Sequence, residues 1–441
     1  MKATEVIGAN GVAIPQGTRG SAGFRTYEVH QRERVGQSTE KIKPIQLVSP
    51  EFARNPYPFL DILRENYPCF RDWLSNCYWV TRYNDVTSIF TDDANFETRP
   101  KRWMLGLDNG GSNLGGEVPV LTAIANGIDG NAARLAEQAV SGFAGRGRAD
   151  LAIEFAARFA LELLLNLLDL PERDADRFAG HYLAMKRGVT WEPRLRQRGL
   201  EAAGELERYF EPLLERRRAD PGADLVSAIA TLDREDGRAS ARDLVVTLLE
   251  LDFDTLHGTL ANLWLRLLEE SGRLQSVRDE PRFLKLAVLE TFRHSTPVLQ
   301  AMRFARHEVE RFGRLIPEGG LVVCSAAAGN RDPRIFRNPD EFIVNRKDLC
   351  HREARGQYRT DGLATGITVG LGPPSKHPAI PEDRPRSAFA IARDTAVTAS
   401  AVLLDALDDL QLEPGAEPYP VCRRIGEMHA CWRLPVRFRK A

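Results

Sequence analysis

The sequence predicts a mainly α-helical fold with small β-regions, an α+β arrangement. Three observations carry this. Leu151–Leu170, Ala241–Ser271 and Ala388–Leu410 hold apolar residues at helical spacing over several turns. Cys77–Tyr83, Met302–Val309 and Leu321–Cys324 are short and rich in β-branched and aromatic residues, as strands are. The tail, Pro420–Phe438, alternates and reads as β.

In chain order, residues 1–45 carry Gly, Thr, Gln and mixed charge with no sustained period, and are expected to form a poorly ordered or partner-binding arm before one domain over 46–441. A helix starts at Pro56–Arg64, and another at Tyr83–Phe90 with Asn84 or Asp85 as its cap. Leu105–Gly116 is glycine-rich and reads as a loop, after which Asp129–Arg134 opens a helix. In Leu151–Leu170, Glu154, Arg158 and Glu162 recur every four residues, which puts one charged stripe on a mostly buried helix. Glu172–Lys186 and Leu200–Arg218 are further helices, ended by the break Asp220-Pro221-Gly222. Ala241–Ser271 is expected to be a single long helix. Arg282–Ser295 follows a break at Asp279-Glu280-Pro281 and stops before Pro297. Ile316–Gly320 is a turn, residues 346–365 are loop-like, and residues 378–387 hold three prolines. Ser387 is expected to cap the last helix.

The bulk properties exclude several classes. The 441 residues are 43% hydrophobic and 27% charged, ordinary for a globular chain. With 60 basic and 61 acidic residues, nothing points to nucleic acid or an anionic membrane. No run of eighteen apolar residues exists, and no apolar segment follows Met1-Lys2, so a cytoplasmic chain without a membrane span is expected. The six cysteines are scattered without metal-ligand spacing and read as reduced packing residues, and no metal cluster is expected.

Four motifs stand in order in the C-terminal half. Glu290-Thr291-Phe292-Arg293 lies on a helix that is apolar nearly all round. Gly329-Asn330-Arg331-Asp332-Pro333, Phe336–Phe342 and the loop Val369–Pro378 follow. This order resembles the cytochrome P-450 family: an E-x-x-R helix, an N-R-D-P loop, a P-D-x-F meander, then the haem loop F-G-x-G-x-H/R-x-C-x-G. The resemblance implies the P-450 fold. It makes Glu290 and Arg293 a buried structural pair, which needs further hydrogen bonds to be tolerated. The family's meander arginine, which supplies them, falls on Glu341, with Arg337 or Arg346 able to take its place.

The same resemblance implies haem-propionate contacts at Arg134 and Arg303, although the histidine expected near Arg134 is missing. Asp254-Thr255 matches the acid–alcohol pair that delivers protons to iron-bound oxygen, while the family's groove glycine is Asp252. The loop keeps Gly370 and Gly372, but the thiolate position is Lys376. Oxygen activation in the family rests on that thiolate, and a lysine amine is protonated at neutral pH. His377 is a better ligand by chemistry, yet stands one residue off register among Pro373, Pro374 and Pro378. The chain therefore resembles the P-450-like auxiliary proteins that lack the haem cysteine. That branch implies no cofactor, no catalytic residue, and a glycosyltransferase partner in a heteromeric complex serving macrolide- or anthracycline-type antibiotic biosynthesis. The competing expectation is a haem b monooxygenase or isomerase with altered ligation, acting on a hydrophobic secondary metabolite through Asp254 and Thr255.

Overall fold

The computed structural model describes residues 41–90, 92–107, 110–233, 237–251, 253–347, 388–423 and 428–441. The expected N-terminal arm up to residue 40, the loop carrying Gly370, Gly372, Lys376 and His377, and the Ser387 cap lie outside the described residues.

Helices dominate, as expected. Helix α1 spans Tyr57–Asn66 and α2 Tyr83–Phe90. The cap of α2 is neither Asn84 nor Asp85. Asp332 Oδ2 accepts from the Tyr83 N–H at 3.1 Å, so the acid of the N-R-D-P segment closes this helix from far along the chain. Helix α3 runs Val118–Ala144, starting eleven residues before the expected opening at Asp129. Pro119 is tolerated in its first turn. Gly127 sits inside this helix where an added Cβ would lie 2.5 Å from Leu167 Cδ2.

A π-helical segment, Leu151–Ala157, leads into α4, Arg158–Leu167. Its charged stripe is only partly realised. Arg158 Nε donates to Glu162 at 2.7 Å, but Glu154 turns to the Asp150 N–H and to Arg146. Helices α5 (Ala175–Arg187) and α6 (Pro193–Ala219) form a hairpin. Helix α6 starts before the expected Leu200 because Glu192 accepts from the Arg194 and Leu195 N–H groups.

The long helix expected over Ala241–Ser271 is broken. Helix α7 spans Ala241–Glu250 and α8 Phe253–Glu269, with Leu251 extended at φ −69°, ψ 124°. Lys186, on α5, accounts for the break. Its buried ammonium donates to the carbonyls of Leu249 (3.0 Å) and Leu251 (3.1 Å), groups that a continuous helix would bond internally. Helices α9 (Ser271–Asp279) and α10 (Arg282–His294) flank the expected break. Helix α11 spans Ala388–Ala406 and not to Leu410, because Leu407–Leu412 pairs as a strand with Pro435–Lys440.

The chain separates into two compact units. The first comprises Met1–Thr98, Leu289–Ile380 and Val421–His429. Its sheet joins β1 (Phe70–Asp72), β2 (Cys77–Val80), β3 (Phe96–Glu97), β4 (Gln300–Ala305) and β5 (Leu321–Ser325) in the order β1-β2-β5-β4-β3. Strand β2 runs parallel to β5, with Cys77 opposite Leu321, and the other pairs are antiparallel. The expected strand Met302–Val309 splits after Ala305. Val309–Arg311 forms its own hairpin with Arg314–Ile316, turned by Phe312 (φ 52°) and Gly313 (φ 71°). The core of this unit gathers Phe52, Leu60, Leu63, Trp79, Leu299 and Val323 under α1 and the sheet.

The second unit comprises Arg99–Val288, Pro381–Pro420 and Ala430–Ala441. Its sheet joins Arg148–Asp150, Pro435–Lys440 and Leu407–Leu412. Phe155, Phe159, Phe210, Leu260 and Trp264 are fully buried in its helical core.

Candidate functional site

The first unit holds a closed polar cluster on α10. Glu290 and Arg293, three apart on one helix face, are both fully buried. Arg293 Nε donates to Glu290 Oε2 (2.9 Å) and Nη2 to Oε1 (2.7 Å), a bidentate pair. Its remaining N–H bonds reach the carbonyls of Asn330 and Pro339 (both 2.8 Å) and Glu341 (3.1 Å). All five donors of the guanidinium are used. Arg346 fills the third place: its Nε donates to both Glu290 oxygens, at 3.0 and 3.1 Å. Its Nη groups reach the carbonyls of Arg337, Asn338 and Glu341. The Ile343 N–H completes Glu290 at 3.0 Å. Glu341 does not invert the charge of the cluster, because it enters only through its backbone carbonyl. Its exposed carboxylate accepts from Asn338 Nδ2 at 3.2 Å.

Around this cluster the N-R-D-P segment ties the unit together. Arg331 lies 3.4 Å over the Tyr57 ring and donates to the His294 carbonyl (2.7 and 3.0 Å), which also accepts from the Tyr57 hydroxyl. Asp332 pairs with Arg334 at 3.1 Å, and Arg334 with Glu65 at 2.8 Å. Burial works to raise the Glu65 pKa, but Arg334 and Arg64 prevail and hold it below the usual glutamate range. These roles are structural and bring no nucleophile or proton carrier to an open site.

Arg303, on β4, is different. It is buried, its Nη1 donates only to the Met302 carbonyl (3.0 Å), and its guanidinium lies 4.6 Å over the Phe90 ring. Among the described residues no carboxylate lies within ion-pair distance of it; the Asp93 carboxylate acts on it only from farther off, and burial prevails to hold its pKa below the usual arginine range. A buried cation without a directly paired anion is costly. The site has the chemistry of an anion receptor awaiting a carboxylate, which is what a haem propionate presents. Arg303 thus fits such a carboxylate.

The other expected contacts lie in the second unit, and Arg134 does not share this character. It is exposed on α3 and donates to Asn131 Oδ1 (2.7 Å) and Gln138 Oε1 (3.2 Å) on its own helix. Asp254 and Thr255 lie in the first turn of α8, just after the break that Lys186 holds. Thr255 is half-buried, and the Asp254 side chain is outside the described residues. Lys186 went unnoticed in the sequence, where it is one more base at a helix end. The described cysteines offer no thiolate: burial pushes Cys69, Cys77, Cys324 and Cys422 up to about 12 and Cys431 to about 11. Among the described residues no three His, Cys, Asp or Glu side chains are placed to hold a metal ion, and no helix is long and apolar enough to cross a membrane.

Comparison with known proteins adds three findings. The family model described as Cytochrome P450 matches residues 275–347, which include the Glu290–Arg293–Arg346 cluster and Arg303. Among curated proteins, the chain is 26% identical over 354 residues to pulcherriminic acid synthase of Bacillus subtilis, covering 76% of this chain and 87% of that one. It is 27% identical to vitamin D(3) 25-hydroxylase of Pseudonocardia autotrophica, covering 84% and 96%. Among solved structures, the bacillaene polyketide synthase cytochrome P450 PksS of Bacillus subtilis superposes with a TM-score of 0.71 at 21% identity, covering 91% of this chain and all of that one.

Proposed function

We propose, from the premise that the chain belongs to the cytochrome P450 superfamily, as the family model and the curated relatives support, that it is a haem-dependent monooxygenase or isomerase whose iron ligand is not a cysteine thiolate. The observation that carries the reading is Arg303: a buried guanidinium with no carboxylate partner among the described residues. This sets aside the expected absence of a cofactor. The relatives named as a pulcherriminic acid synthase and a vitamin D(3) 25-hydroxylase support a small organic molecule as substrate.

When bound, haem supplies the oxidation or rearrangement chemistry at its iron. The chain's own residues do the rest. Arg303 would hold and orient an acidic edge of the group through a charge-assisted hydrogen bond. His377 stands next to the ligand position in the sequence, and its neutral imidazole would be the group able to hold the iron. Asp254 and Thr255 are the acid–alcohol pair fit to hold and pass a proton. The Glu290–Arg293–Arg346 cluster has no chemical role. It fixes the backbone of the meander by accepting and donating at every available group.

The test is direct. Expression with a haem precursor should give coloured protein with a Soret band and stoichiometric haem, and H377A should shift or abolish that band. A cysteine-type band in the carbon-monoxide-treated ferrous protein would contradict the ligation. One observation favours a second reading, an auxiliary protein binding a glycosyltransferase: Lys376 occupies the thiolate position, and no cysteine occurs between residues 351 and 421. Colourless protein after haem supplementation, with a co-expressed glycosyltransferase retained, would move the conclusion there.

A further inference from the structure

The hairpin formed by α5 and α6 ends in a basic tip. Between Leu183 and Leu200 the only acid is Glu192, and both its carboxylate oxygens are taken by the N–H groups that begin α6. Against it stand Arg187, Arg194, Arg196 and Arg198. Three are exposed and Arg196 is half-buried. None of the four guanidinium groups has an ion pair or hydrogen bond among the described residues, whereas Arg158, Arg208, Arg217, Arg218 and Arg273 in the same unit are all paired. Beside the arginines, Trp191 is 45% exposed, Leu183 45% and Leu195 40%.

The tip is also prebuilt. Gly188 and Gly199 cross so closely that a Cβ on either would lie 2.6 Å from the Cα of the other. Trp191 stands edge-on to Trp103 at 5.9 Å, and Trp103 lies under the Arg99 guanidinium at 4.6 Å. An ordered aromatic anchor ringed by uncommitted arginines is what a protein interface uses: Trp and Arg dominate hot spots, and preorganisation lowers the cost of ordering on binding. A lipid surface asks for no such geometry. It needs more insertable area than one Trp and two Leu side chains provide.

We infer that the α5–α6 tip docks an acidic protein partner, with Trp191 seated in an apolar spot of the partner and Arg187, Arg194 and Arg198 forked onto its carboxylates. The inference is independent of whether haem is bound.

The test uses the full chain and three probes: a synthetic amphipathic helix with glutamates on one face and leucines on the other, the same helix with lysines for glutamates, and vesicles containing phosphatidylglycerol. The acidic helix should bind with a blue shift in tryptophan emission that W191F removes, and about tenfold more weakly at moderate than at low salt. The triple variant R187E/R194E/R198E should lose about tenfold or more in affinity with unchanged circular dichroism. Equal binding of the acidic and basic helices, retained affinity in the triple variant, a blue shift surviving in W191F, or binding to vesicles without binding to the acidic helix would each overturn the proposal.

Discussion

Arg346 donates one N–H to both carboxylate oxygens of Glu290, at 3.0 and 3.1 Å, and so does from the loop what Arg293 does from the helix. Two arginines serve one acid. The excess positive charge is spread over carbonyls of Asn330, Arg337, Asn338, Pro339 and Glu341.

Arg346→Met therefore removes a donor from a fully buried carboxylate and from three carbonyls, of which Glu341 keeps Arg293 and Asn338 keeps the Glu341 N–H. The loss should be about 3–5 kcal/mol, read as a lower midpoint in urea unfolding. Glu341→Ala, at the position where the sequence suggests the third charge, should cost less than about 0.5 kcal/mol, because only its exposed side chain is lost.

Arg303→Met should behave in the opposite way in cofactor-free protein. Replacing a buried cation that has no direct ion pair with an apolar side chain of similar length should leave the melting temperature unchanged or raise it. The same variant should retain less haem after supplementation, measured by the pyridine haemochromogen. A large loss of stability without haem would mean that the guanidinium is already neutralised.

Lys186→Met should strip two donors from the carbonyls at the end of α7. An expected cost of about 1–3 kcal/mol follows from the unmet hydrogen bonds. Hydrogen exchange should quicken in peptides spanning Val246–Leu256 before it does elsewhere.

Glu65 sets one part of the acid response. Its folded pKa is depressed below the ordinary value of 4.5, so its pairing stabilises the fold fully above that value and is lost as the pH falls through the folded value. In E65Q the fall in melting temperature below about pH 4.5 should be shallower than in the wild type, with the two converging in acid. A parallel offset at all pH values would show that Glu65 acts by packing alone.

The helices and the E-x-x-R pair were legible because their signals are local: apolar spacing, proline breaks, and two charges three residues apart. What escaped depends on partners far along the chain. Glu341 looks like an inverted charge until its carbonyl is seen to be the part that binds. Ala241–Ser271 looks continuous because nothing within it announces that Lys186 takes its carbonyls. Leu407–Leu412 has helix-compatible composition and becomes a strand only because Pro435–Lys440 lies beside it. Arg134 and Arg303 look alike in sequence, and burial alone separates them.

The seat of Lys186 also makes it a chemical clock. With its amine enclosed at 3% exposure and spent on two carbonyls, an acylating reagent should modify the exposed lysines of the native chain and pass this one by. Whatever slow labelling it shows would time how often the gap between α7 and α8 comes apart, one opening per modified molecule.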